Sequence, residues 1–331
     1  MSWTEIEKKQ LKIFGIVAFL VPILMGIVMG YSYFKGNDVT TFPNAQMYYP
    51  AAGVMLALLM TGNKEQKLPK RFYIGFLLAT VVMMIVAVAS VFVTNFDWLT
   101  WGQMPIIIFS IICLILLFTE KKEVRTEYGL RFAGKKRGSS WFYILLFFVL
   151  YILRLFLSYA IEGQISTFVE IFTSPSTYGM LLVLIVNFVF VYTAFFGEEY
   201  GWRFFLQPLL QKRFGLKGGI FILGVAWGLW HLPINIFYYS PDTWIISVLL
   251  QIITCVSFAI FFGYAYMKTG NIWVPVVMHC MNNNLIVVFT GSTDISNQVY
   301  RWIDVPLTLL VDLMFIVFIF AKEFKEKKAE Q

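Results

Sequence analysis

Charged residues are scarce in this chain. Asp, Glu, Lys and Arg make up only 14% of its 331 residues, whereas 59% are hydrophobic. A soluble domain of this length needs more polar surface, so the composition excludes an ordinary soluble protein and indicates a polytopic membrane protein. The strand alternation of a membrane β-barrel is absent as well. We therefore predict an all-α, polytopic transmembrane helix bundle.

Cysteines and linkers are also few. The three cysteines (Cys113, Cys255 and Cys280) lie in apolar runs without a pairing pattern, so we expect free thiols and no disulfide framework. No repeat and no linker rich in Pro, Gly or Ser divides the chain. The longest polar segment, 120–140, separates a predicted four-span N-terminal region (1–140) from a six-span domain (141–331). Nearly all polar residues suited to chemistry fall in the second part, where we expect the catalytic cavity.

Long apolar runs are abundant. About 20 apolar residues suffice to cross the hydrocarbon core as a helix. The first run is too long for a signal-peptide core, so we keep it as a spanning helix. The ten predicted spans are 11–34, 45–62, 72–94, 99–119, 141–160, 178–199, 219–239, 244–267, 272–290 and 303–321.

Positive charge is unevenly distributed between the predicted loops. Of the 26 Lys and Arg residues, all but Lys35, Arg154 and Arg301 lie in or beside every second loop or terminus of the ten-span topology. These loops and termini all face the same side of the membrane. Cytoplasmic loops hold such residues in membrane proteins. We therefore predict a multi-pass protein of the cell membrane with both termini cytoplasmic. The net charge of +7 needs no nucleic-acid partner, because loop 120–140 is suited to lie against anionic lipid headgroups of the bilayer.

Histidine is the rarest ionisable residue, with only two in the chain. His231 and His279 both fall inside predicted spans. Ionisable residues at membrane depth are rare and mark functional sites. A lone buried histidine is more often a satisfied core residue, but here each one has polar or aromatic company at helical spacing.

The stretch FFGEEYGWRFF places two adjacent glutamates beside hydrocarbon. Glu199 and Arg203 are four residues apart, so they share a helix face and are expected to pair. Glu198 points about 100° away and is left to face something else. An ion pair at a helix end would explain Glu199 and Arg203 but not Glu198.

The two histidines have similar surroundings. Trp227 and His231 lie four apart on the seventh span, and Pro233 is expected to bend that helix and free a backbone carbonyl. His279 and Asn283 lie four apart on the ninth span. An asparagine in a spanning helix can simply bridge helices, but three in succession (282–284) exceed that need.

These side chains could converge on one cavity, which we expect to open on the side of the 200–218 loop. A carboxylate with imidazoles can activate water, and an asparagine with the second histidine can stabilise an oxyanion. Glu198, His231 and His279 are alternatively the ligand set of a catalytic zinc. No short-range zinc motif is present, so we expect no cofactor and keep zinc as the alternative. Cys280 is a poor nucleophile candidate because apolar burial disfavours its thiolate.

Three motifs in succession resemble one known family. EEYGWR fits E-E-x-x-x-R, WGLWH fits aromatic-x-x-x-His, and HCMNN fits H-x-x-x-N. In this order on membrane helices, over about 178–290, they resemble the CAAX protease and bacteriocin-processing (CPBP) family of intramembrane endopeptidases. That family includes the type II endoprotease that trims prenylated CAAX proteins. The usual aromatic of the second motif is phenylalanine, and Trp227 departs from it.

The resemblance implies an intramembrane endopeptidase. Glu198 and His231 would activate the water, His279 and Asn283 would form the oxyanion site, and Glu199 and Arg203 would support the first motif. The implied substrate is a membrane-associated peptide or protein, whose identity the motifs do not select. The sequence does not indicate an oligomeric state. Two other functions stay open: a non-catalytic scaffold or bacteriocin-immunity protein acting through a partner, and a proton-coupled transporter using Glu198, His231 and Asp312.

Overall fold

The structure is a computed structural model that describes residues 2–63, 65–133, 137–291 and 295–325. Lys135 and Lys136 of the predicted basic loop, and the lysines after residue 325, lie outside these ranges. Every regular element within them is a helix, which confirms the predicted all-α class.

The seventeen α-helices are numbered in chain order. They are α1 to α17: Glu5–Gly15, Val21–Phe34, Thr41–Gln46, Tyr49–Thr61, Lys70–Phe92, Trp98–Trp101, Met104–Thr119, Lys122–Glu127, Arg137–Ile161, Ile165–Thr173, Pro175–Glu199, Gln207–Phe214, Leu216–Trp230, Leu232–Ile234, Trp244–Thr269, Trp273–Thr290 and Asp304–Ile316. Three π-helical segments connect some of them: Ile16–Leu20, Tyr200–Leu206 and Asn235–Tyr239. Short 3₁₀ turns cover Pro241–Thr243, Val317–Phe320 and Lys322–Phe324.

Seven helices in the described ranges are long and apolar enough to cross a membrane. They are Glu5–Phe34, Lys70–Phe92, Trp98–Thr119, Ser139–Ile161, Pro175–Phe214, Leu216–Tyr239 and Pro241–Thr269. The chain is thus a multi-pass membrane protein, and these helices coincide with seven of the ten predicted spans. The other three predicted spans correspond to the shorter helices α4, α16 and α17. With 13 residues, α4 reaches only about 20 Å, so the count of ten stays a prediction.

Predicted span six extends much further than its apolar run. The helix continues through the π-helical turns of 200–206 into α12, so that Pro175–Phe214 forms one helix of 40 residues. It packs against α16, α7 and α4, while α13 packs against α12 and α15. The EEYGWR motif therefore lies within a helix and not at its end. This position surrounds both glutamates with other helices.

Two glycines allow α4 and its preceding turn to approach this helix closely. A Cβ added to Gly197 would lie 2.3 Å from the carbonyl oxygen of Met47, and one added to Gly201 would lie 2.3 Å from Cβ of Pro50. Both distances are far below van der Waals contact. The glycines thus bring the N-terminal region directly against the motif helix.

Hydrogen bonds also link the N-terminal region to the helices of the motifs. The amide of Gln46 donates to the carbonyl oxygen of Trp230 at 2.8 Å, and the indole of Trp230 donates to that of Ala18 at 2.7 Å. The hydroxyls of Tyr73 and Tyr200 lie 2.7 Å apart. Buried polar groups in an apolar setting need such partners. Whether 1–140 and 141–331 are separate domains stays a prediction.

Candidate active site

Glu199 is the centre of a buried ion-pair network. Its Oε2 lies 3.1 Å from Nε of Arg203, the pair that helical spacing predicts, and its Oε1 lies 2.8 Å from Nδ1 of His279, so the first and third motifs meet here. Glu199 and Arg203 are both fully buried. A buried charge is tolerated only when it is paired. The network therefore explains why Glu199 and Arg203 occur among apolar residues.

Two aromatic rings lie against the guanidinium group of Arg203. Its guanidinium carbon lies 4.6 Å from the ring centroid of Trp227 and 5.5 Å from that of Phe262. Its terminal nitrogens find no hydrogen-bond acceptor in the described part of the chain. Cation–π contacts with two aromatic rings supply part of the missing stabilisation.

Glu198 is held by two tryptophans. Its Oε2 accepts a hydrogen bond from the indole of Trp227 at 2.8 Å and another from the indole of Trp202 at 3.3 Å. Among residues 2–63, 65–133, 137–291 and 295–325, no donor reaches the other oxygen, Oε1. Glu198 is 2% exposed. The carboxylate is thus fixed through one oxygen while the second stays without a partner.

His231 lies at an interruption of its helix. The helix α13 ends at Trp230, and the backbone N–H of His231 bonds to the carbonyl of Gly228 instead of continuing the α-helical ladder. The carbonyl of Trp227 is thereby free to accept from Nδ1 of the imidazole at 2.9 Å. Pro233 has a separate effect, because its missing N–H removes the donor that would bond to the carbonyl of Leu229. Because a carbonyl only accepts, Nδ1 carries the proton and Nε2 is the free nitrogen.

Asn235 is a supporting residue that the motifs do not reveal. Its side-chain amide donates to the carbonyl of His231 at 2.9 Å, and its oxygen accepts from the hydroxyl of Ser247. Asn235 is fully buried and lies one turn after His231. In the sequence, Asn235 is marked only by being a polar residue in an apolar run, four residues after His231.

Both histidines line one cavity of about 360 Å³. Asn283 lines it as well, together with Trp227 and Cys255. The structure thus brings the second and third motifs to a shared space large enough for several water molecules.

The expectation that Glu198 lines this cavity does not hold. Its carboxylate is absent from the lining, while Trp227, which bonds to Glu198, is part of the lining. The physical reason is the pair of indole donors, which draws Oε2 into the packed wall. Trp227, which donates to Glu198, has its ring centroid 5.5 Å from that of His279.

Residues that follow His231 and His279 in the chain also line the cavity. They include Tyr239, Ile295 and Tyr300, at the end of the bundle opposite to the 200–218 loop. The two loops at that end are joined, since the backbone N–H of Gln298 donates to the carbonyl of Tyr239 at 2.7 Å. The side on which the cavity opens stays a prediction.

Arg154 and Asp312, which sequence reasoning left unassigned, pair with each other. Nε of Arg154 lies 2.8 Å from Oδ1 of Asp312, and the carboxylate is fully buried. Arg154 also lines both the histidine cavity and a neighbouring cavity of about 580 Å³. The two cavities share Tyr151, Leu250 and Tyr300 in their walls, so they form adjoining parts of one depression.

The three consecutive asparagines differ in their contacts. The amide of Asn284 donates back to the carbonyl of Cys280 at 2.8 Å, whereas that of Asn282 donates to the side-chain oxygen of Asn283 at 2.9 Å. Asn282 and Asn283 line the cavity, and Asn284 does not. Of the three, Asn283 therefore combines helical spacing to His279 with access to the cavity.

The expectation of no cofactor, with zinc as the alternative, stays a prediction. Within the described ranges, no group of three or more His, Cys, Asp or Glu side chains is placed to hold a metal ion. We derive no step through a metal.

The two imidazoles and Asn283 thus line one cavity of a polytopic helix bundle, and Glu198 adjoins its wall through Trp227. The comparison with protein families shows what this part of the chain resembles. Residues 177–285 match the family model described as type II CAAX prenyl endopeptidase Rce1-like, so the chain is similar to that family over this segment. The match confirms the resemblance of the three motifs and includes Asn283. No match to the chain was found among curated proteins or among solved structures.

Proposed function

We propose that the protein is an intramembrane endopeptidase that hydrolyses peptide bonds with a water activated by Glu198 and His231. The observation that supports this best is the cavity shared by two histidines with fixed Nδ1 atoms, whose wall residue Trp227 donates a hydrogen bond to Glu198. Water held at Nε2 of His231 gives a proton to Oε1 of Glu198 as its oxygen attacks the carbonyl carbon. The same carboxyl group then protonates the leaving amine.

His279 takes the complementary role. Glu198 and Glu199 bring two negative charges into a buried site, and Arg203 supplies one positive charge. A protonated His279 balances this group of four. Because Nδ1 bonds to Glu199, the Nε2–H group is then available to donate to the oxyanion. Asn283 supplies the second donor from the next turn of the helix.

The proposed chemistry is metal-free. Its support is that, in the described ranges, no group of three or more His, Cys, Asp or Glu side chains is placed to hold a metal ion. Elemental analysis of the purified protein, with activity measured before and after chelation, tests it. Stoichiometric zinc whose removal abolishes cleavage would overturn the metal-free chemistry and leave the protease assignment intact.

The substrate is proposed to be a membrane-associated peptide or protein. A prenylated CAAX peptide with a fluorophore–quencher pair is the first probe, because the matching family is described by that activity. In parallel, membrane peptides are compared between cells with the wild type and cells with Glu198→Gln. Peptides that vanish in the variant name the substrate.

The same variants separate catalysis from scaffolding. We expect Glu198→Gln and His231→Ala each to lower cleavage by about 10²-fold or more at unchanged protein level. A scaffold or immunity protein acting through a partner would keep its cellular function in both. The transporter alternative loses support because Asp312 is bonded to Arg154.

The orientation is proposed from the positive-inside pattern, with the basic loops and both termini in the cytoplasm of a cell-membrane protein. In that orientation the cavity is reached from the outer side. Val299→Cys, in an exposed position near the cavity, is expected to react with a membrane-impermeant maleimide in intact cells. Glu65→Cys, in a predicted inner loop, is expected to react only after lysis. The reversed result would invert the topology.

A further inference from the structure

Two indole N–H groups converge on a single oxygen of Glu198. We propose that Trp202 and Trp227 are positioning residues that fix Glu198 with Oε1 as its one reactive oxygen, and that the first helix supports Trp202 in this role. The inference rests on the proposed function of Glu198 as the base. It goes beyond the motifs, because E-E-x-x-x-R specifies nothing at the position of Trp202.

The geometry supports a fixed carboxylate. A glutamate side chain has three rotatable bonds, and a surface carboxylate exchanges its two oxygens freely. Here Oε2 is bonded at 2.8 Å to Trp227 and at 3.3 Å to Trp202, so that rotation would break both bonds. Hydrogen bonds to a charged acceptor are about twice as strong as neutral ones. A water bound nearby therefore meets the same oxygen in each turnover.

Trp227 can donate a hydrogen bond, which the usual aromatic residue of its motif cannot. Phenylalanine, which the motif usually has, can pack at this position but cannot donate a hydrogen bond. In this chain the ring of Trp227 also covers Arg203, at 4.6 Å from its guanidinium carbon to the ring centroid. One side chain thus contacts both the proposed base and the cation that balances Glu199.

Trp202 is supported from outside the matching segment. Its ring lies 6.0 Å from that of Phe14 and 5.8 Å from that of Phe19, both on the first membrane-crossing helix, and 5.4 Å from that of Trp230 (centroid distances). Trp230 in turn donates to the carbonyl of Ala18. The N-terminal region is therefore connected to Glu198 through one residue, Trp202. Phe14 and Phe19 pack against Trp202, and Trp202 bonds to Glu198.

Nuclear magnetic resonance of the indole groups tests the contact without any substrate. The chain has ten tryptophans, so [¹⁵N]tryptophan labelling in nanodiscs gives ten indole signals that Trp→Phe variants assign. We expect Glu198→Gln to move the signals of Trp202 and Trp227. The control signal is that of Trp273, whose indole donates to the carbonyl of Leu130 at 3.3 Å. If neither Trp202 nor Trp227 responds more than Trp273, the positioning role is wrong.

Cleavage of the prenylated CAAX probe tests the consequence. We expect Trp202→Phe and Trp227→Phe each to lower kcat about tenfold with KM changed less than about twofold, because phenylalanine keeps an aromatic ring at each position and removes only the indole donor to Glu198. Trp273→Phe, which removes an equally buried donor elsewhere, controls for general loss of stability and is expected to keep kcat within about twofold.

The two proposals fail in different ways. If Glu198→Gln abolishes cleavage while Trp202→Phe and Trp227→Phe match Trp273→Phe, the positioning inference is wrong and the proposed function stands. If Glu198→Gln cleaves as well as the wild type, the proposed function is wrong. The positioning of Glu198 by the two tryptophans then has no role in catalysis. A larger KM at constant kcat in the tryptophan variants would also overturn the inference, because it would place them in substrate binding.

Discussion

The matching segment (177–285) and the N-terminal region (1–140) differ sharply in what their sequences reveal. The matching segment contains the paired glutamates and both histidines, whereas the N-terminal region is nearly featureless apolar helix. In the structure both regions adjoin Glu198: the former supplies Trp227 and the latter supports Trp202. The comparison shows that a catalytic motif can depend on packing residues which no motif describes. Four substitutions, given from the largest expected effect to the smallest, test how differently the two regions contribute to stability and activity.

Arg203→Met, inside the matching segment, is expected to have the largest effect. It leaves Glu199 as a fully buried charge balanced only by His279, and breaking a buried pair in this way costs about 3–5 kcal/mol. We expect little folded protein, measured by thermal unfolding in detergent. The double variant Arg203→Met with Glu199→Gln removes both charges and should recover part of the stability. Equal instability of the single and double variants would contradict the ion-pair argument.

Asn283→Ala, also in the matching segment, is expected to keep the fold and lose activity. Removing one oxyanion donor lowers kcat about 10²- to 10³-fold. Asn284→Ala is the matched control, because its amide bonds back to the carbonyl of Cys280 and does not line the cavity. Steady-state cleavage of the probe measures both. A comparable loss in the control would mean that the asparagines serve helix packing.

Gly201→Ala tests the contact between the two regions. The new Cβ would lie 2.3 Å from Cβ of Pro50, and overpacking of this kind costs about 1–3 kcal/mol. Gly179→Ala lies on the same helix with nothing within 4 Å of the added Cβ, so it should stabilise the helix by up to about 1 kcal/mol. Thermal unfolding compares the pair. If both variants shift the midpoint equally, the N-terminal region is not closely packed on the motif helix.

Phe19→Leu, in the N-terminal region, is expected to have the smallest effect. Leucine removes the aromatic contact with Trp202 but keeps the position apolar, so we expect about a two- to threefold loss of kcat and a shift of the Trp202 indole signal alone. Leu24→Ala, exposed on the same helix, is the control and should change neither. A Trp202 signal unaffected by Phe19→Leu would confine the positioning to the matching segment.

Much of the site could be predicted from the sequence because its contacts follow helical spacing. The Glu199–Arg203 pair and the carbonyl freed beside His231 are both local, four residues apart, and both are present. The bond between Glu199 and His279 joins residues 80 apart in the chain, and no spacing rule predicts it.

The rest depended on information that apolar runs do not contain. Hydropathy placed Glu198 at the end of a span, but the helix continues for another fifteen residues, and the cavity extends to the opposite end of the bundle. The motifs single out Trp227 but not Trp202, and neither indole N–H has an evident acceptor until Glu198 has a position. Three predicted spans correspond to short helices. An apolar run in the sequence shows which residues avoid water, but it does not show where a helix ends.

The length of the motif helix has one more consequence. Forty residues of helix extend for about 60 Å, roughly twice the hydrocarbon thickness, so one end of Pro175–Phe214 must project into water or the helix must tilt strongly. At its far end Lys212 is tied to Glu7 by an ion pair of 2.7 Å. This ion pair fastens the start of the first membrane-crossing helix to the end of the motif helix, beyond the π-helical turns that follow the two glutamates.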